Sequence, residues 1–320
     1  MNNTFEEIAK VIENGEVFLI FPHIVVDGDA LGSSTALCEA LRLKGKKAYV
    51  VLEDEIGTNL KFLDDGYCIN FEDADFDHDI SICVDCSEKS RFPKRVDLFD
   101  KAKTTICIDH HKTAEPFCQY YYVDSNSAAT AELIYLLIKA MGVSLTEKIA
   151  KRIYTGITTD TGNFQYSNTT KRTHQIVSEL YDVCDSFNDI SVEIYENDSF
   201  EKLALQSEIL GNAELFADGR AIVAYVTQDM LKKCGATMED SEGTVSRLRS
   251  IRGVEIAVLL KEKEDNQIKA SMRAKTYGDV ASICVKYGGG GHIKAAGFTS
   301  DEPLEKVIEN IKKDVEQSFE

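Results

Sequence analysis

Thr104-Thr105-Ile106-Cys107-Ile108-Asp109-His110-His111 begins with an apolar, β-forming run and closes on an acid followed by two imidazoles. A short apolar run of this kind predicts a buried strand, so the polar triplet is expected just where the strand ends. In an open α/β sheet that is where ligands bind. Alone, the triplet reads equally well as part of a metal site or as a hydrogen-bonded structural cluster. What separates the two readings is whether the same pattern recurs elsewhere.

It recurs three times in the first half of the chain. Glu16 to His23 is a near-continuous apolar run ending in an imidazole, and Asp27-Gly28-Asp29 follows. A helix with Ala30, Ser34, Leu37 and Leu41 on one stripe, stopped at Gly45, completes a strand–acidic loop–helix unit. The run Asp79 to Val84 predicts another strand, again with a carboxylate, Asp85, directly behind it. A helix from Glu147 leads into Gly156-Ile157-Thr158-Thr159-Asp160-Thr161-Gly162, which presents a fourth acid among small residues. Further strands are expected at Lys47 to Leu52 and Tyr120 to Val123, a short helix at residues 5–13, and a helix capped by Ser127 and ending at Met141. Strands alternating with helices predict an α/β domain with a mainly parallel sheet over residues 1–187.

Two residues apart, Asp27 and Asp29 would share a face on a regular strand. A turn at Gly28 would let them diverge towards different partners. The plainer alternative is that Asp29 caps the helix and Asp27 is a turn residue.

Residues 188–212 read as a charged helical connector, and residues 213–320 as a smaller α/β domain. That domain is expected to open with a hairpin turning at Asp218-Gly219. Strands at Val254 to Lys261 and Gln267 to Ala274 follow, and a helix from Asp279 to Tyr287 runs into Gly288-Gly289-Gly290-Gly291-His292. Four glycines let a backbone approach a phosphate closely and donate its N–H groups, with His292 beside them as a phosphate contact; the alternative is a flexible loop. Arg249, Arg252 and Arg273 are candidates for clamping phosphates or stacking on a base, and Arg91 is a first-domain candidate of the same kind.

The bulk properties narrow the function classes. With 320 residues and a formal net charge of −18, the chain is not built to hold long nucleic acid on a broad basic surface. A short anionic substrate remains open to it, because divalent cations and a few arginines reverse the potential locally. No apolar run approaches the roughly 20 residues that span a bilayer, and the first residues are acidic where a secretory signal is basic. A cytoplasmic protein without a membrane partner is expected. Several of the nine cysteines lie inside apolar patterns, and Cys83-Val84-Asp85-Cys86 has no second pair to complete a zinc site, so reduced thiols are expected. The acidic segment from Asp73 is not a calcium loop, since its sixth position is His78 where a glycine is needed and its twelfth is Val84.

The acids and imidazoles then stand together as His23, Asp27, Asp29, Asp85, Asp109, His110, His111 and Asp160. Hard carboxylate oxygens with a minority of imidazoles suit manganese or magnesium. There are enough donors for two cations about 3.5–4 Å apart, which need one carboxylate between them and separate ligands on each side.

These stretches resemble a known family. His23-x3-Asp27-Gly28-Asp29-Ala30-x-Gly32-Ser33, Asp85-x-Ser87, Asp109-His110-His111 and Thr159-Asp160-Thr161-Gly162 look like the four motifs of the DHH phosphoesterases, in the expected order. Gly288-Gly289-Gly290-Gly291-His292-x3-Ala296-Gly297 resembles the glycine-rich motif of the associated DHHA1 domain. Within the family the two-domain form is similar to the nanoRNase and 3'-phosphoadenosine-5'-phosphate phosphatase group. The resemblance implies two divalent cations, manganese ahead of magnesium or cobalt, and hydrolysis by in-line attack of water on phosphorus. His23, Asp27 and Asp85 would hold one cation and Asp29, Asp85, His110 and Asp160 the other, with Asp85 bridging. Asp109 would orient and His111 would face the phosphate as the catalytic pair. Residues Val25-Val26 depart from the Asn-Pro common in the family, which puts the loop's shape in question more than its ligands. The implied substrate is a short oligonucleotide or a nucleotide, held in a cleft between the domains. A RecJ-like single-strand exonuclease, an inorganic pyrophosphatase and a non-catalytic nucleotide-binding regulator are the alternatives. Whether the chain works as a homodimer stays open.

Overall fold

In the computed structural model, which describes residues 2–74, 76–86, 88–111, 117–263, 265 and 267–319, the apolar runs of the first half become one parallel sheet. Its strands are β1 (Val17–Phe21), β2 (Lys47–Leu52), β3 (Cys68–Asn70), β4 (Ile80–Val84), β5 (Thr104–Asp109) and β6 (Tyr120–Val123). They lie in the order β3-β2-β1-β4-β5-β6. The chain winds outward from β1 and then returns to start again at β4 beside it, so the carboxyl ends of β1 and β4 flank the point where the strand order reverses. The three-residue β3 is too short to show any periodicity in the sequence.

Alternating side chains feed two apolar layers. Phe18, Ile20, Ile82, Val84, Ile106 and Ile108 pack on one face, while Leu19, Phe21, Cys83 and Cys107 pack on the other. The helices of this part are α1 (Phe5–Glu13), α2 (Gly28–Leu43), α3 (Val96–Asp100), α4 (Thr130–Ala140), α5 (Glu147–Asp160), α6 (Lys171–Leu180) and α7 (Asn188–Tyr195).

Two expectations about helix starts are corrected. Gly28 is not a turn glycine but the first residue of α2, and its φ is not positive. What excludes a side chain there is α5: a Cβ on Gly28 would sit 2.5 Å from Thr159 Cγ2, and one on Gly32 would sit 2.6 Å from the Arg152 carbonyl oxygen. On the other helix a Cβ on Gly156 would sit 2.7 Å from Asp29 Oδ1. These glycines let α2 and α5 cross backbone to backbone. The second correction concerns α4, which Ser127 does not cap. The helix begins at Thr130 behind Ala129, which offers no side-chain cap, and the Ser127 hydroxyl donates instead to the Ala129 carbonyl and Glu132 Oε2. A buried Glu132 carboxylate is the stronger acceptor.

The chain divides into two compact units, residues 1–197 and 198–320. The expected connector is split between them: α7 brings Ile190 into the core of the first unit, and α8 (Phe200–Gly211) brings Leu205 and Ile209 into that of the second.

The second unit has β7 (Glu214–Phe216), β8 (Ala221–Val226), α9 (Gln228–Cys234), α10 (Thr244–Ser250), β9 (Ile256–Glu262), β10 (Ile268–Ala274), α11 (Val280–Val285), β11 (Gly290–His292), β12 (Ala295–Ser300) and α12 (Leu304–Gln317). Its sheet runs β11-β12-β10-β9-β8-β7, with β8 and β9 parallel and the other pairs antiparallel. The hairpin turn between β7 and β8 places Ala217, Asp218 and Gly219 at φ 51°, 57° and 78°. The glycine run is not a free loop. It enters the edge strand β11, and a Cβ on Gly289 would meet the Gly297 carbonyl oxygen at 2.2 Å. None of the nine cysteines is in a disulfide, and among the described residues no helix is long and apolar enough to cross a membrane.

Candidate metal centre

The carboxyl ends of β1, β4 and β5 and the last residue of α5 bring acids and imidazoles together. Asp85 follows β4 directly and sits at φ 56°, a left-handed conformation that Asp tolerates better than most side chains. Its N–H donates to the Ile108 carbonyl at 3.0 Å, so the turn away from the strand is held by the neighbouring strand β5. The side chain is buried, and its two oxygens face different groups. Oδ2 lies 3.6 Å from His23 Nε2, while Oδ1 lies 3.6 Å from His110 Nε2 and 3.6 Å from His111 Nδ1.

Around these oxygens three donor groups form among the described residues, each with ligand atoms within 4.8 Å of one another: His23, Asp27 and Asp85; Asp29, His110 and Asp160; Asp85, His110 and His111. Asp27 and Asp29 therefore do diverge. Asp27 is the N-cap of α2, its Oδ1 accepting from the N–H groups of Asp29 and Ala30 at 3.1 and 2.9 Å, and its Oδ2 lies 3.6 Å from His23 Nε2. Asp29 is one helical step inside and points to the second group, with Oδ2 at 4.0 Å from His110 Nε2. The plainer alternative, in which Asp29 caps α2, does not hold: the cap is Asp27. Asp160 ends α5 with Oδ2 at 3.4 Å from the same imidazole nitrogen.

Both inward-facing imidazoles are oriented from behind by backbone carbonyls. His23 Nδ1–H donates to the Ile24 carbonyl at 2.7 Å and His110 Nδ1–H to the Ser127 carbonyl at 3.2 Å, which turns each Nε2 towards the carboxylates. This is how metal-ligating histidines are commonly held. His111 differs: its Nδ1–H donates to Asp109 Oδ1 at 2.7 Å, and its backbone N–H to the same oxygen at 3.2 Å. Asp109 is fully buried, and among the described residues its hydrogen bonds at the centre are those to His111.

The electrostatics describe a site short of positive charge. Burial, reinforced by the charge of Asp85, pushes Asp29 up to about 7. Burial first and neighbouring carboxylates second raise Asp85 and Asp160 as well. Burial alone would lower His23, but the hydrogen bond and charge of Asp27, with Asp85 behind, push it up to about 9. The crowded acids thus favour protonation of one another and of His23, a balance that a bound cation would reverse. The donor set, the carbonyl-held imidazoles and the crowded carboxylates fit divalent cations.

Some partners of this site escape sequence reasoning. The N–H groups of Thr130 and Ala131 donate to Asp29 Oδ2 and Oδ1 at 2.6 and 2.9 Å, so the uncapped start of α4 is capped by Asp29 from another helix. The Thr130 hydroxyl donates to Asp85 Oδ1 at 2.7 Å. No motif marks these contacts; the residues lie between Asp109 and Asp160 in a run that reads only as a helix start. Ser87, part of the Asp85-x-Ser87 motif, lies outside the described residues.

Arg91 is exposed in a 3-10 turn (Lys89–Arg91), and its carbonyl accepts from the Ile24 N–H at 2.8 Å, which ties it to the His23 loop. In the second unit Arg273 on β10 and His292 on β11 are both paired opposite Ala295 of β12. Directly paired residues share a face of the sheet, so Arg273 and His292 lie on one side. Arg273 is also opposite Ala257 of β9, which packs with Leu248 of α10, the helix that carries Arg249. Arg252 is exposed just beyond α10. Of the four glycines, Gly288 is at φ 73° and Gly291 at φ 140°, Gly289 is hemmed in by β12, and Gly290 alone combines an ordinary φ with open space at its Cβ position.

The pattern of the DHH family, N-terminal domain, matches residues 17–157, and that of the DHHA1 domain matches residues 218–320. Every first-unit donor named above except Asp160 falls within the first match. The chain is 32% identical over 317 residues to the bifunctional oligoribonuclease and PAP phosphatase NrnA of Thermus thermophilus, covering 97% of this chain and 93% of that protein. It is 29% identical over 313 residues to the protein of the same name in Bacillus subtilis, covering 96% and 97%. Among solved structures, an exopolyphosphatase-related protein from Bacteroides fragilis superposes with a TM-score of 0.93 at 26% identity, covering 98% of this chain and 95% of that one.

Proposed function

This chain belongs to the DHH family and carries a DHHA1 domain, and from that premise we propose that it is a two-cation phosphoesterase of short nucleotides. Its substrates in this reading are very short oligoribonucleotides, cut to mononucleotides, and 3'-phosphoadenosine-5'-phosphate, from which it removes the 3'-phosphate. The names of the Thermus and Bacillus relatives, oligoribonuclease and PAP phosphatase, support this choice.

The observation that carries the reading is the double aspect of Asp85, one oxygen towards His23 and the other towards His110. A carboxylate so placed suits a bridge between two cations. His23, Asp27 and Asp85 are assigned to one and Asp29, Asp85, His110 and Asp160 to the other, with manganese as the working metal. When bound, such a pair acidifies water and neutralises phosphoryl charge. The chain's own residues do the rest. The carbonyls of Ile24 and Ser127 keep the imidazole lone pairs aimed inward, and Asp109 fixes the ring of His111, which is assigned to the phosphoryl oxygens. Arg249, Arg252, Arg273, His292 and the glycine edge Gly288 to Gly291 are assigned to the remainder of the nucleotide, with Arg91 as a first-unit contact. An enzyme with these substrates belongs in the cytoplasm.

The test is a manganese-supplemented assay of the purified protein on a dinucleotide, a longer nanoRNA, 3'-phosphoadenosine-5'-phosphate and pyrophosphate side by side. Release of mononucleotides or of phosphate from the nucleotides, with pyrophosphate spared, is the expected result. Intact nucleotides with pyrophosphate consumed would instead make the chain a pyrophosphatase.

A further inference from the structure

We infer that Thr130 is a positioning residue that sets the geometry of Asp85 and Asp29 before any cation binds, an inference that rests on the metal-centre reading above. Thr130 is fully buried at the first position of α4 and holds two carboxylates with two different groups. Its hydroxyl donates to Asp85 Oδ1 at 2.7 Å and its backbone N–H donates to Asp29 Oδ2 at 2.6 Å. The hydroxyl bond fixes the carboxylate plane of Asp85, and with it the direction of Oδ2, the oxygen that faces His23. The N–H bond is one that any residue but proline could supply at 130; a hydroxyl on Cβ is found only in Ser and Thr.

The surrounding turn is built to hold this residue still. Glu132, two positions on and fully buried, accepts from the hydroxyls of Ser127 and Thr173 at 2.9 and 2.6 Å and from Arg172 Nε at 3.0 Å. Arg172 and Thr173 belong to α6, so the start of α4 is pinned to a second helix. The carbonyl of Ser127, fixed by the same network, receives the Nδ1–H of His110. One turn of backbone therefore orients ligands from α2, β4 and β5, elements that are far apart in sequence. Groups behind the ligands of a metal site commonly set affinity by roughly 10–100-fold.

The variants that separate positioning from packing are Thr130→Val, which keeps volume and β-branching and loses only the hydroxyl, and Thr130→Ser, which keeps the hydroxyl and loses a methyl. The readout is calorimetric titration of the chelator-stripped protein with manganese chloride, without substrate, alongside kcat and KM for a dinucleotide at saturating manganese. Thr130→Val is expected to bind manganese roughly 10–100-fold more weakly, to lose kcat with little change in KM, and to keep its unfolding transition. Thr130→Ser is expected to stay within about threefold of the parent protein on the same scale. Should Thr130→Val not fold, Thr130→Ala against Thr130→Ser makes the same comparison. Equal losses in the serine and hydroxyl-free variants, or unchanged manganese affinity in Thr130→Val, would overturn the inference. A parent protein that takes up no manganese would overturn the metal-centre reading itself, and the role of Thr130 with it.

Discussion

Val25 shows how much backbone strain the His23 loop carries. It is a β-branched residue at φ 52°, where such side chains are outliers, and 76% of its surface is exposed, so no packing compensates. The Val25 N–H to Asp54 Oδ2 at 3.2 Å and the neighbouring Ile24 N–H to the Arg91 carbonyl hold it there. Asn tolerates this region, so Val25→Asn is expected to raise stability by about 1 kcal/mol. In a unit of this size that is roughly 2–4 °C in melting temperature. Calorimetry checks it, and an unchanged or lower melting temperature would show that the loop is not strained as described. At this scale the acids and imidazoles were legible because each stands just past an apolar run or among small residues. Thr130 and the Ser127 carbonyl were not: Thr130 reaches Asp29 and Asp85 across 101 and 45 residues of chain, and a backbone carbonyl such as the one His110 meets at Ser127 carries no sequence signal at all.

The crossing of α2 and α5 places Asp29 and Asp160 in one site, and its glycines are not equivalent. A methyl on Gly156 would press on Asp29 Oδ1 at 2.7 Å and Ala131 Cβ at 2.6 Å, whereas the atoms nearest one on Gly32 would be backbone atoms of α5, the Arg152 carbonyl oxygen at 2.6 Å and the Gly156 nitrogen at 3.1 Å. Both Gly156→Ala and Gly32→Ala are expected to cost about 1–3 kcal/mol by overpacking. Only Gly156→Ala should also lose most of the dinucleotide hydrolysis assayed with manganese, at a temperature where both remain folded. Denaturant titration and the dinucleotide assay, run on both variants, decide this; equal activities would mean that Asp29 does not depend on the crossing. Gly28 was visible in the sequence but read as a turn, since a glycine between two aspartates at a strand end gives no sign that another helix is about to pass. The edge strand β11 was hidden for a related reason: glycines are depleted in strands, so a run of four reads as a loop.

Across the whole chain, charge links the first unit's stability to pH and to cations. His23 is pushed up to about 9 from an ordinary 6.5, and Asp29 up to about 7 from 3.8. A pKa raised on folding contributes stability that is present at low pH and lost as pH rises through the folded value. For Asp29 that window runs from about 4 to 7, and for His23 from about 6.5 to 9. Without metal, the melting temperature of the first unit is therefore expected to fall between pH 6.5 and 9. Manganese should restore it, with a larger gain at pH 9, because the cation replaces the proton between the acids. Scanning calorimetry with and without chelator checks the sign. At this scale the parallel sheet and the second α/β unit were legible in the alternation of strands and helices. The connector was less so: two amphipathic helices in tandem do not show which core each one joins, and the division after Asn197 emerges only from packing. The proposed chemistry requires two cations that share Asp85. Its most direct measurement is the number of manganese ions bound per chain after chelation and reloading, in the parent protein and in Asp85→Asn. Two ions in the parent, and loss of tight binding at both positions in a variant that still unfolds cooperatively, is the predicted result. A single ion in the parent, or two tightly held ions in Asp85→Asn, would contradict it.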